Sequence, residues 1–452
     1  MTAWSKGKRQ LMVWCAVAVV LVTSLVIWGC GSSSYKTDVT TTQTGVVIDV
    51  PTLQQWMDEG KVNARLGKPD RVVILSVATA TNFAAKGHIP GAQLLDAGTE
   101  LYETRYEALT GVASMVPSGA VFDAILKRKG INGNTTIVFT AASGDSLVAV
   151  TRAYFTFRYW GFPKERLKFL NGCDDAWDLA GNPLTTEATV IAPSTFSVAQ
   201  FGGVKDQLRA SAGDVLALID AINADPSLLN TYQIYEARGT TVPRPALANG
   251  SYGANDAYLR TYAGGLTSKY KLVPTREALF ANMTTSNIPI PNAIKDSATS
   301  VAVKLSPTKK TLLACGSGTA ASLMFFLFDA VLDYPEGEVV LYDGSTTQWL
   351  KYRRDSMLTA GVDPAYADIW AFNYKTPGTS ILRVVPKTAQ ASFTLYTSGF
   401  SSAGSYNLFV SGVGLLDPAA NQIEVEDWEY VRTQKSTPAS GGAGGGSAGG
   451  GC

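Results

Sequence analysis

Histidine is nearly absent from this chain of 452 residues, and no charge of either sign dominates it. His88 is the single histidine, which excludes a metal site built from several histidines. The 38 basic and 37 acidic residues almost cancel, so no cationic surface for nucleic acid is expected. Hydrophobic residues make up 46% of the chain, which is ample for two or three globular domains.

Long apolar runs are scarce, and the clearest one lies near the N-terminus. It extends from Leu11 to Trp28, follows a short basic cluster and ends directly before Gly29-Cys30. This pattern is typical of a secretory signal with a lipoprotein cleavage box, so we expect lipidation at Cys30. An uncleaved membrane anchor is the alternative, because Trp28 is bulky for such a box and the run is about as long as a short transmembrane helix.

Cysteine is also scarce, with five residues in the whole chain. Cleavage before Cys30 and its lipidation would leave three thiols, on Cys173, Cys315 and Cys452. An odd number in an exported protein predicts at least one thiol that is free or paired with another molecule.

A β-like run ends at Cys315 in Lys310-Thr311-Leu312-Leu313-Ala314-Cys315, and Gly-Ser-Gly-Thr-Ala-Ala-Ser follows. Apolar residues then recur at helical spacing from Leu323. The thiol is therefore predicted at a strand-to-helix turn, where unpaired N–H groups and the helix dipole favour an anion. Such a turn would make Cys315 a nucleophilic thiolate, whereas the alternative is a buried core thiol beside a tight turn.

The sequence Cys315-Gly-Ser-Gly-Thr-Ala-Ala-Ser322 resembles the active-site loop of the rhodanese family, and its neutral residues are closest to the mercaptopyruvate sulfurtransferase type. The segment from Val339 to Trp349 is similar to the strand and turn that close a rhodanese domain. The resemblance implies catalysis by Cys315 through a persulfide, with no metal and no organic cofactor. It also implies that the loop residues bind the anion: Gly316, Ser317, Gly318, Thr319 and Ala320.

An earlier part of the chain carries a second, altered copy of these motifs. Gly87-His88-Ile89-Pro90-Gly91-Ala92 is similar to a rhodanese signature, and Lys168 to Cys173 resembles a closing strand. Strands alternating with helices predict a parallel α/β sheet here. The usual Asp-x-Arg reads Ser76-Val77-Ala78, and we place the cysteine position at Thr140. This copy is therefore predicted to be an inactive scaffold in which His88 and Cys173 are structural.

The second copy contains the candidate residues for binding the donor. Tyr232 to Arg238 resembles the family's Val-Asp-Ala-Arg strand end, which makes Arg238 the leading substrate-site cation. Arg244 is a second candidate, and an ion pair that fixes the loop is an equally good interpretation of Arg238. The family's second His-Ile-Pro-Gly-Ala motif is missing, and a long irregular insert takes its place.

These observations predict two tandem rhodanese-like domains, each a parallel sheet flanked by helices, with a C-terminal extension and a disordered tail. The Gly-rich tail ends in Cys452, which either accepts sulfur from Cys315 or has an unrelated role. The predicted boundaries are 1–29 signal peptide, 30–44 tether, 45–187 inactive domain, 198–355 catalytic domain, 356–435 extension and 436–452 tail.

The resemblance implies an exported sulfurtransferase, anchored in the outer membrane through Cys30 and facing the periplasm or the cell exterior. Its expected partners are a small sulfur-donor anion, a thiol acceptor, the lipid bilayer and, as a further option, outer-membrane proteins. Two alternatives remain. The thiolate handles selenite or tellurite, which resemble sulfur oxyanions, or the fold is a non-enzymatic subunit of an outer-membrane assembly.

Overall fold

The computed structural model describes residues 45–107, 110–212, 225–236, 309–331, 333–349 and 422–436, with isolated positions at 214, 215, 218, 351, 358, 359, 361 and 364. The predictions for Cys30, Arg238, Arg244 and Cys452 lie outside the described residues, as do the leader and the tether. All described residues belong to one unit, Thr42–Cys452. In the part of the chain that is described, no helix combines the length and hydropathy needed to span a bilayer.

The first half contains a five-stranded parallel sheet in the order β1-β7-β6-β2-β3. Its longest strand, Val72–Ala78, lies in the interior of the sheet and is buried on both faces, as expected for a parallel strand covered by helices on either side. A two-stranded antiparallel ribbon, β4-β5, lies between β3 and β6 in the chain. The elements are β1 (Val47–Ile48), α1 (Val50–Asp58), β2 (Val72–Ala78), α2 (Ala80–Lys86), β3 (Gln93–Asp96), β4 (Glu103–Glu107), β5 (Thr110–Met115), α3 (Gly119–Arg128), β6 (Thr136–Thr140), α4 (Leu147–Tyr159), β7 (Leu167–Leu170) and α5 (Cys173–Leu179).

The second half repeats this arrangement with a four-stranded sheet in the order β8-β11-β10-β9. All its neighbouring strands are parallel, and its order matches β1-β7-β6-β2 of the first half. The predicted α/β architecture of parallel sheets flanked by helices is therefore confirmed. The elements are β8 (Arg209–Ala210), β9 (Tyr232–Glu236), β10 (Lys310–Ala314), α6 (Thr319–Phe326), a π-helical segment (Leu327–Val331), β11 (Val339–Tyr342) and α7 (Ser345–Trp349).

Helix α4 follows β6, and helix α6 follows β10, the equivalent strand of the second half. These two helices pack against each other. Aromatic side chains meet edge to face between them, with ring centroids 5.1 Å apart for Tyr154 and Phe326 and 5.0 Å apart for Phe155 and Phe325. Both helices contribute to one continuous apolar core. Since α6 begins just after the Cys315 loop, this packing holds the first half directly against the candidate site.

A C-terminal helix, α8 (Gln422–Ser436), lies within the predicted extension and its last residue reaches the predicted tail. Asp427 forms a bidentate ion pair with Arg105 of β4, with N···O distances of 2.9 and 2.8 Å. Glu424 accepts from Arg209 of β8 at 3.1 Å. The helix therefore binds both halves through buried charges, a role that the sequence of the extension did not indicate.

Candidate active site

Cys315 directly follows β10, and its backbone is fixed by the neighbouring strand's end. The N–H of Cys315 donates to the Oγ of Ser345 at 3.1 Å, and that hydroxyl donates to the carbonyl of Tyr342 at 2.8 Å. Only 2% of Cys315 is exposed, and no disulfide involves it. The cysteine thus sits at the predicted strand-to-helix turn, at the carboxyl edge of a parallel sheet, where open α/β folds bind their ligands.

The loop after Cys315 is held at both of its glycines. The carbonyl of Gly316 accepts from the N–H of Thr347 at 2.9 Å and from its hydroxyl at 2.8 Å. Gly318 has a φ of +75°, and a Cβ placed on it would lie 2.5 Å from the carbonyl oxygen of Asp343. A side chain is excluded at Gly318 by both the backbone conformation and the space, so the close approach of loop and strand end requires glycine.

Free backbone donors line this loop. Among the described residues, the N–H groups of Gly316, Ser317 and Gly318 find no hydrogen-bond acceptor. Ser317 and Thr319 bring their hydroxyl oxygens within 3.4 Å of each other. Several N–H groups and hydroxyls around one thiol form a cradle for a thiolate or a persulfide anion.

The first half contributes Tyr102 to this loop. Its hydroxyl lies 2.8 Å from the Oγ1 of Thr319. Burial raises the pKa of Tyr102, and the positive charge of Arg152 only partly opposes this effect. The phenol therefore stays protonated at neutral pH and is available as a hydrogen-bond donor beside the loop.

A buried carboxylate, Asp343, lies beneath the loop. It pairs with Arg152 of α4 and with Arg209 of β8, and it accepts the N–H of Val116 at 2.9 Å. Burial alone would raise the pKa of Asp343, but the two guanidinium groups outweigh burial and the pKa is lowered. Asp343 is therefore ionised at neutral pH and links the two halves below the Cys315 loop.

Arg209 extends this ionic cluster toward the C-terminal helix. Besides Asp343, it contacts Glu107 at 3.0 Å and Glu424 at 3.1 Å. Burial raises the pKa of Glu107 despite the nearby Arg209, and it raises the pKa of Glu424 strongly, with Asp214 acting in the same direction. The excess of buried acids over bases therefore favours protonation of Glu424.

The structure brings Cys315 and the five predicted loop residues together, while Arg238 and Arg244 lie outside the described residues. Sequence reasoning missed Tyr102, Arg152, Asp343 and Ser345. A signal existed for Arg152, because it is a charged residue within the apolar helix α4. Tyr102 offered none, since it lies before β4 in an irregular stretch. In the described part of the chain, no cluster of histidine, cysteine and acidic residues could hold a metal ion.

The equivalent loop of the first half corrects one prediction. Thr140 pairs with Ser76 as Ala314 pairs with Glu236, so Thr140 corresponds to Ala314 and Ala141 occupies the cysteine position. The glycine positions support this alignment. Gly144 comes three residues after Ala141, as Gly318 comes three residues after Cys315, and both glycines have positive φ. The assignment of this position to Thr140 was wrong by one residue, but the absence of a nucleophile there is unchanged.

Two further residues of the first half have the structural roles predicted for them. His88 is buried, its ring stacks on Phe83 with centroids 3.7 Å apart, and its Nε2 lies 3.2 Å from the carbonyl of Glu187. Cys173 is buried at the position that Ser345 takes in the second half, and both have positive φ.

The chain is similar in sequence to several named proteins, although no family model matches it. It is 26% identical over 305 residues to the sulfur carrier protein TtuD of Thermus thermophilus, covering 67% of this chain and 93% of the relative. It is 26% identical over 153 residues to a putative thiosulfate sulfurtransferase of Mycobacterium tuberculosis, covering 34% of this chain and 50% of the relative. The chain therefore matches about half the length of the mycobacterial protein.

Solved structures with similar folds include the 3-mercaptopyruvate sulfotransferase SseA from Escherichia coli, with 20% identity and a TM-score of 0.46 over 67% of this chain and 99% of that chain. The Tum1 protein from Saccharomyces cerevisiae has 16% identity and a TM-score of 0.45 over 71% of this chain and 99% of that chain. The resemblance drawn from the Cys315 loop is confirmed by the two sequence relatives.

Proposed function

We propose that this chain, a rhodanese-like sulfurtransferase by its motifs and its relatives, moves sulfane sulfur through a persulfide on Cys315 to a thiol or another nucleophilic acceptor. The observation that carries the proposal is the position of Cys315. It sits at a strand-to-helix turn, with its backbone fixed by Ser345 and with N–H donors from Gly316, Ser317 and Gly318 beside it. A covalent intermediate divides one difficult transfer into two easier steps.

In the first step, the thiolate of Cys315 attacks the outer sulfur of a donor. With thiosulfate, a new S–S bond forms on Cys315, the S–S bond of the donor breaks, and its electron pair leaves with sulfite. With 3-mercaptopyruvate, the C–S bond breaks, and the pyruvate enolate that leaves takes up a proton. The resulting persulfide is an anion, which the loop N–H groups and the hydroxyl of Ser317 stabilise.

In the second step, an acceptor thiolate attacks the outer sulfur of the persulfide. The S–S bond to Cys315 breaks, its electron pair returns to the Cys315 thiolate, and the acceptor leaves as a persulfide. No external oxidant or reductant is needed. The Thermus relative is named a sulfur carrier protein and the mycobacterial relative a putative thiosulfate sulfurtransferase, and both names fit this two-step transfer.

Arg238 and Arg244 are the proposed cations for the carboxylate or sulfonate of the donor. Their predicted function is binding rather than chemistry, so Arg238→Met and Arg244→Met should raise the half-saturating donor concentration more than they lower the maximal rate. A fall in maximal rate with unchanged donor saturation would exclude this role.

We also propose that the protein is exported and anchored to the outer membrane by lipid on Cys30. The basic cluster, the apolar run and the Gly29-Cys30 box support this proposal. Metabolic labelling with a fatty acid tests it, because Cys30→Ser should lose the label that the parent chain takes up. A parent chain that takes up no label and keeps residues 1–29 would support the uncleaved anchor instead.

The leaving group tests the proposed chemistry directly. The purified chain is incubated separately with thiosulfate, 3-mercaptopyruvate and selenite, in each case without an acceptor. Sulfite or pyruvate released in about one equivalent per chain supports a persulfide. Selenium bound to the protein, with no release of sulfite or pyruvate from the other two donors, supports the selenite alternative. No reaction with any of the three compounds supports a scaffold without activity.

A further inference from the structure

One charged residue of the catalytically silent half reaches the catalytic loop. Arg152 lies in the middle of α4 and is fully buried. Its guanidinium pairs with Asp343, which follows β11 in the other half. Burying an arginine so completely is costly unless its partners are well arranged.

The guanidinium of Arg152 has three further neighbours around the loop. Its Nη1 lies 3.0 Å from the point where a Cβ would stand on Gly318. Its Nη2 donates to the carbonyl of Ser114 at 3.0 Å, and its Cζ lies 5.4 Å from the ring centroid of Tyr102. Because Tyr102 itself contacts Thr319, the loop is held against Arg152 at two consecutive residues.

Two features of this arrangement are unfavourable in free energy. Ser114 has a φ of +79°, in the left-handed region that a serine rarely adopts. The Nε and Nη1 of Arg152 are buried and have no hydrogen-bond acceptor among the described residues. Strained backbone and unsatisfied buried donors are concentrated at functional sites, where the surrounding structure enforces them.

We propose that Arg152 is a positioning residue, through which the silent half sets the conformation and the anion preference of the Cys315 loop. The proposal rests on the proposed function of Cys315 and adds a role for the half that has lost its own nucleophile. Arg152 acts by fixing Asp343, whose backbone carbonyl faces Gly318, and by placing a cation below the loop. Because Arg152 is fully buried, we expect it to act on the chemical step and not on donor binding.

A matched control lies on the same helix. Arg158 is also buried, and it forms a bidentate ion pair with Asp329 of the other half, with N···O distances of 2.9 and 3.2 Å. Asp329 belongs to the π-helical segment after α6, and Arg158 touches no described residue of the Cys315 loop. Removing either arginine breaks a buried ion pair between the halves, at a cost of about 3–5 kcal/mol. Only the loss of Arg152 should alter the reactivity of Cys315.

The test compares Arg152→Met, Arg152→Lys and Arg158→Met in the full chain. Three quantities are measured: thermal unfolding, the rate of persulfide formation from thiosulfate, and the rate at which iodoacetamide alkylates Cys315 in the donor-free protein. Arg152→Met should lower the maximal rate of persulfide formation by about 10- to 100-fold, a loss typical of a small displacement of the reacting group. The half-saturating thiosulfate concentration should change by less than about twofold.

Alkylation of Cys315 should slow by about tenfold in Arg152→Met, and Arg152→Lys should recover part of both rates because it keeps the charge. Arg158→Met should unfold at a lower temperature while both rates stay within about twofold of the parent. Equal losses in the Arg152→Met and Arg158→Met proteins would overturn the proposal, and so would parental rates in a folded Arg152→Met protein.

Alkylation separates this proposal from the proposed function. If the parent chain forms no persulfide, the sulfurtransferase assignment fails, while slower alkylation in Arg152→Met than in Arg158→Met still supports the positioning role. If Arg152→Met does not fold, Arg152→Lys decides, because it must also react more slowly than Arg158→Met. Arg152→Lys with parental rates would then overturn the proposal.

Discussion

The hydroxyl of Ser345 lies 3.1 Å from the backbone nitrogen of Cys315 and accepts its hydrogen. The two residues follow neighbouring parallel strands, so the segment after β11 fixes the residue that begins the Cys315 loop. Ser345 has a φ of +47°, which costs a non-glycine residue about 1–3 kcal/mol. The strain places the hydroxyl where it can hold Cys315.

Substitution of Ser345 separates the hydrogen bond from the strain. Ser345→Ala loses the hydroxyl and keeps the strain, so its free energy of unfolding should be about 1–3 kcal/mol lower than that of the parent chain. Ser345→Gly also loses the hydroxyl but tolerates the positive φ, and it should be about 1 kcal/mol more stable than Ser345→Ala. Denaturant titration measures the free energy of unfolding of both variants. Persulfide formation should slow to a similar extent in the two variants, and a parental rate in either would show that the hydrogen bond is dispensable.

Gly318 has a natural control in the first half. Gly318→Ala places a Cβ 2.5 Å from the carbonyl of Asp343, whereas a Cβ on Gly144, at the equivalent position, meets nothing within 4 Å. Both have positive φ, so each substitution carries the conformational cost of about 1–2 kcal/mol. Only Gly318→Ala should in addition displace the loop and reduce persulfide formation by about 100-fold. Equal activity of the two alanine variants would contradict the close approach of loop and strand end.

The stability of the chain should depend on pH through Glu424. Its pKa is raised by burial first, then by Asp214, Glu107 and Asp206, with Arg209 acting against them. A raised pKa in the folded state means that Glu424 stabilises the fold fully at low pH and that this contribution is lost as pH rises through the raised value. Glu424→Gln stays neutral at every pH and can still accept from Arg209.

Glu424→Gln should therefore be more stable than the parent chain at neutral pH, with a melting temperature about 2–4 °C higher. The difference should shrink as the pH falls to about 4 and vanish below it, where Glu424 becomes protonated in the unfolded state as well as in the folded state. The pKa of Asp343 is lowered, so its contribution to stability has the opposite pH dependence. Asp343 is present in both proteins, and its contribution therefore cancels in the difference. A variant less stable than the parent at neutral pH would mean that Glu424 is ionised and usefully paired with Arg209.

Local patterns allowed the strands around Cys315 and the strand-to-helix turn that follows it to be predicted from the sequence. The run from Lys310 to Ala314, a cysteine and small residues before an apolar helix define the loop within about a dozen residues. The contacts of Arg152 could not be predicted in this way, because Asp343, Ser114 and Gly318 come from distant parts of the chain. Their meeting depends on how α4 packs against α6.

The error at Thr140 has a physical explanation. The prediction placed the cysteine position at the first residue of Thr140-Ala-Ala-Ser-Gly144, whereas the register of the parallel strand pairs fixes which residue lies at the sheet edge. Thr140 still belongs to the strand and pairs with Ser76, so the turn begins at Ala141. The glycine spacing from Ala141 to Gly144, the same as from Cys315 to Gly318, was the signal that gives the correct alignment.

The central claim is that sulfur is carried on Cys315, and the mass of the peptide containing this residue tests it most directly. The full chain is incubated with thiosulfate without an acceptor and digested under non-reducing conditions. We predict a gain of one sulfur atom on the Cys315 peptide, its loss on addition of a thiol, the same gain in Cys173→Ser, and no gain in a folded Cys315→Ser protein. Sulfur found on another cysteine, or sulfite release by Cys315→Ser at the parental rate, would contradict the account.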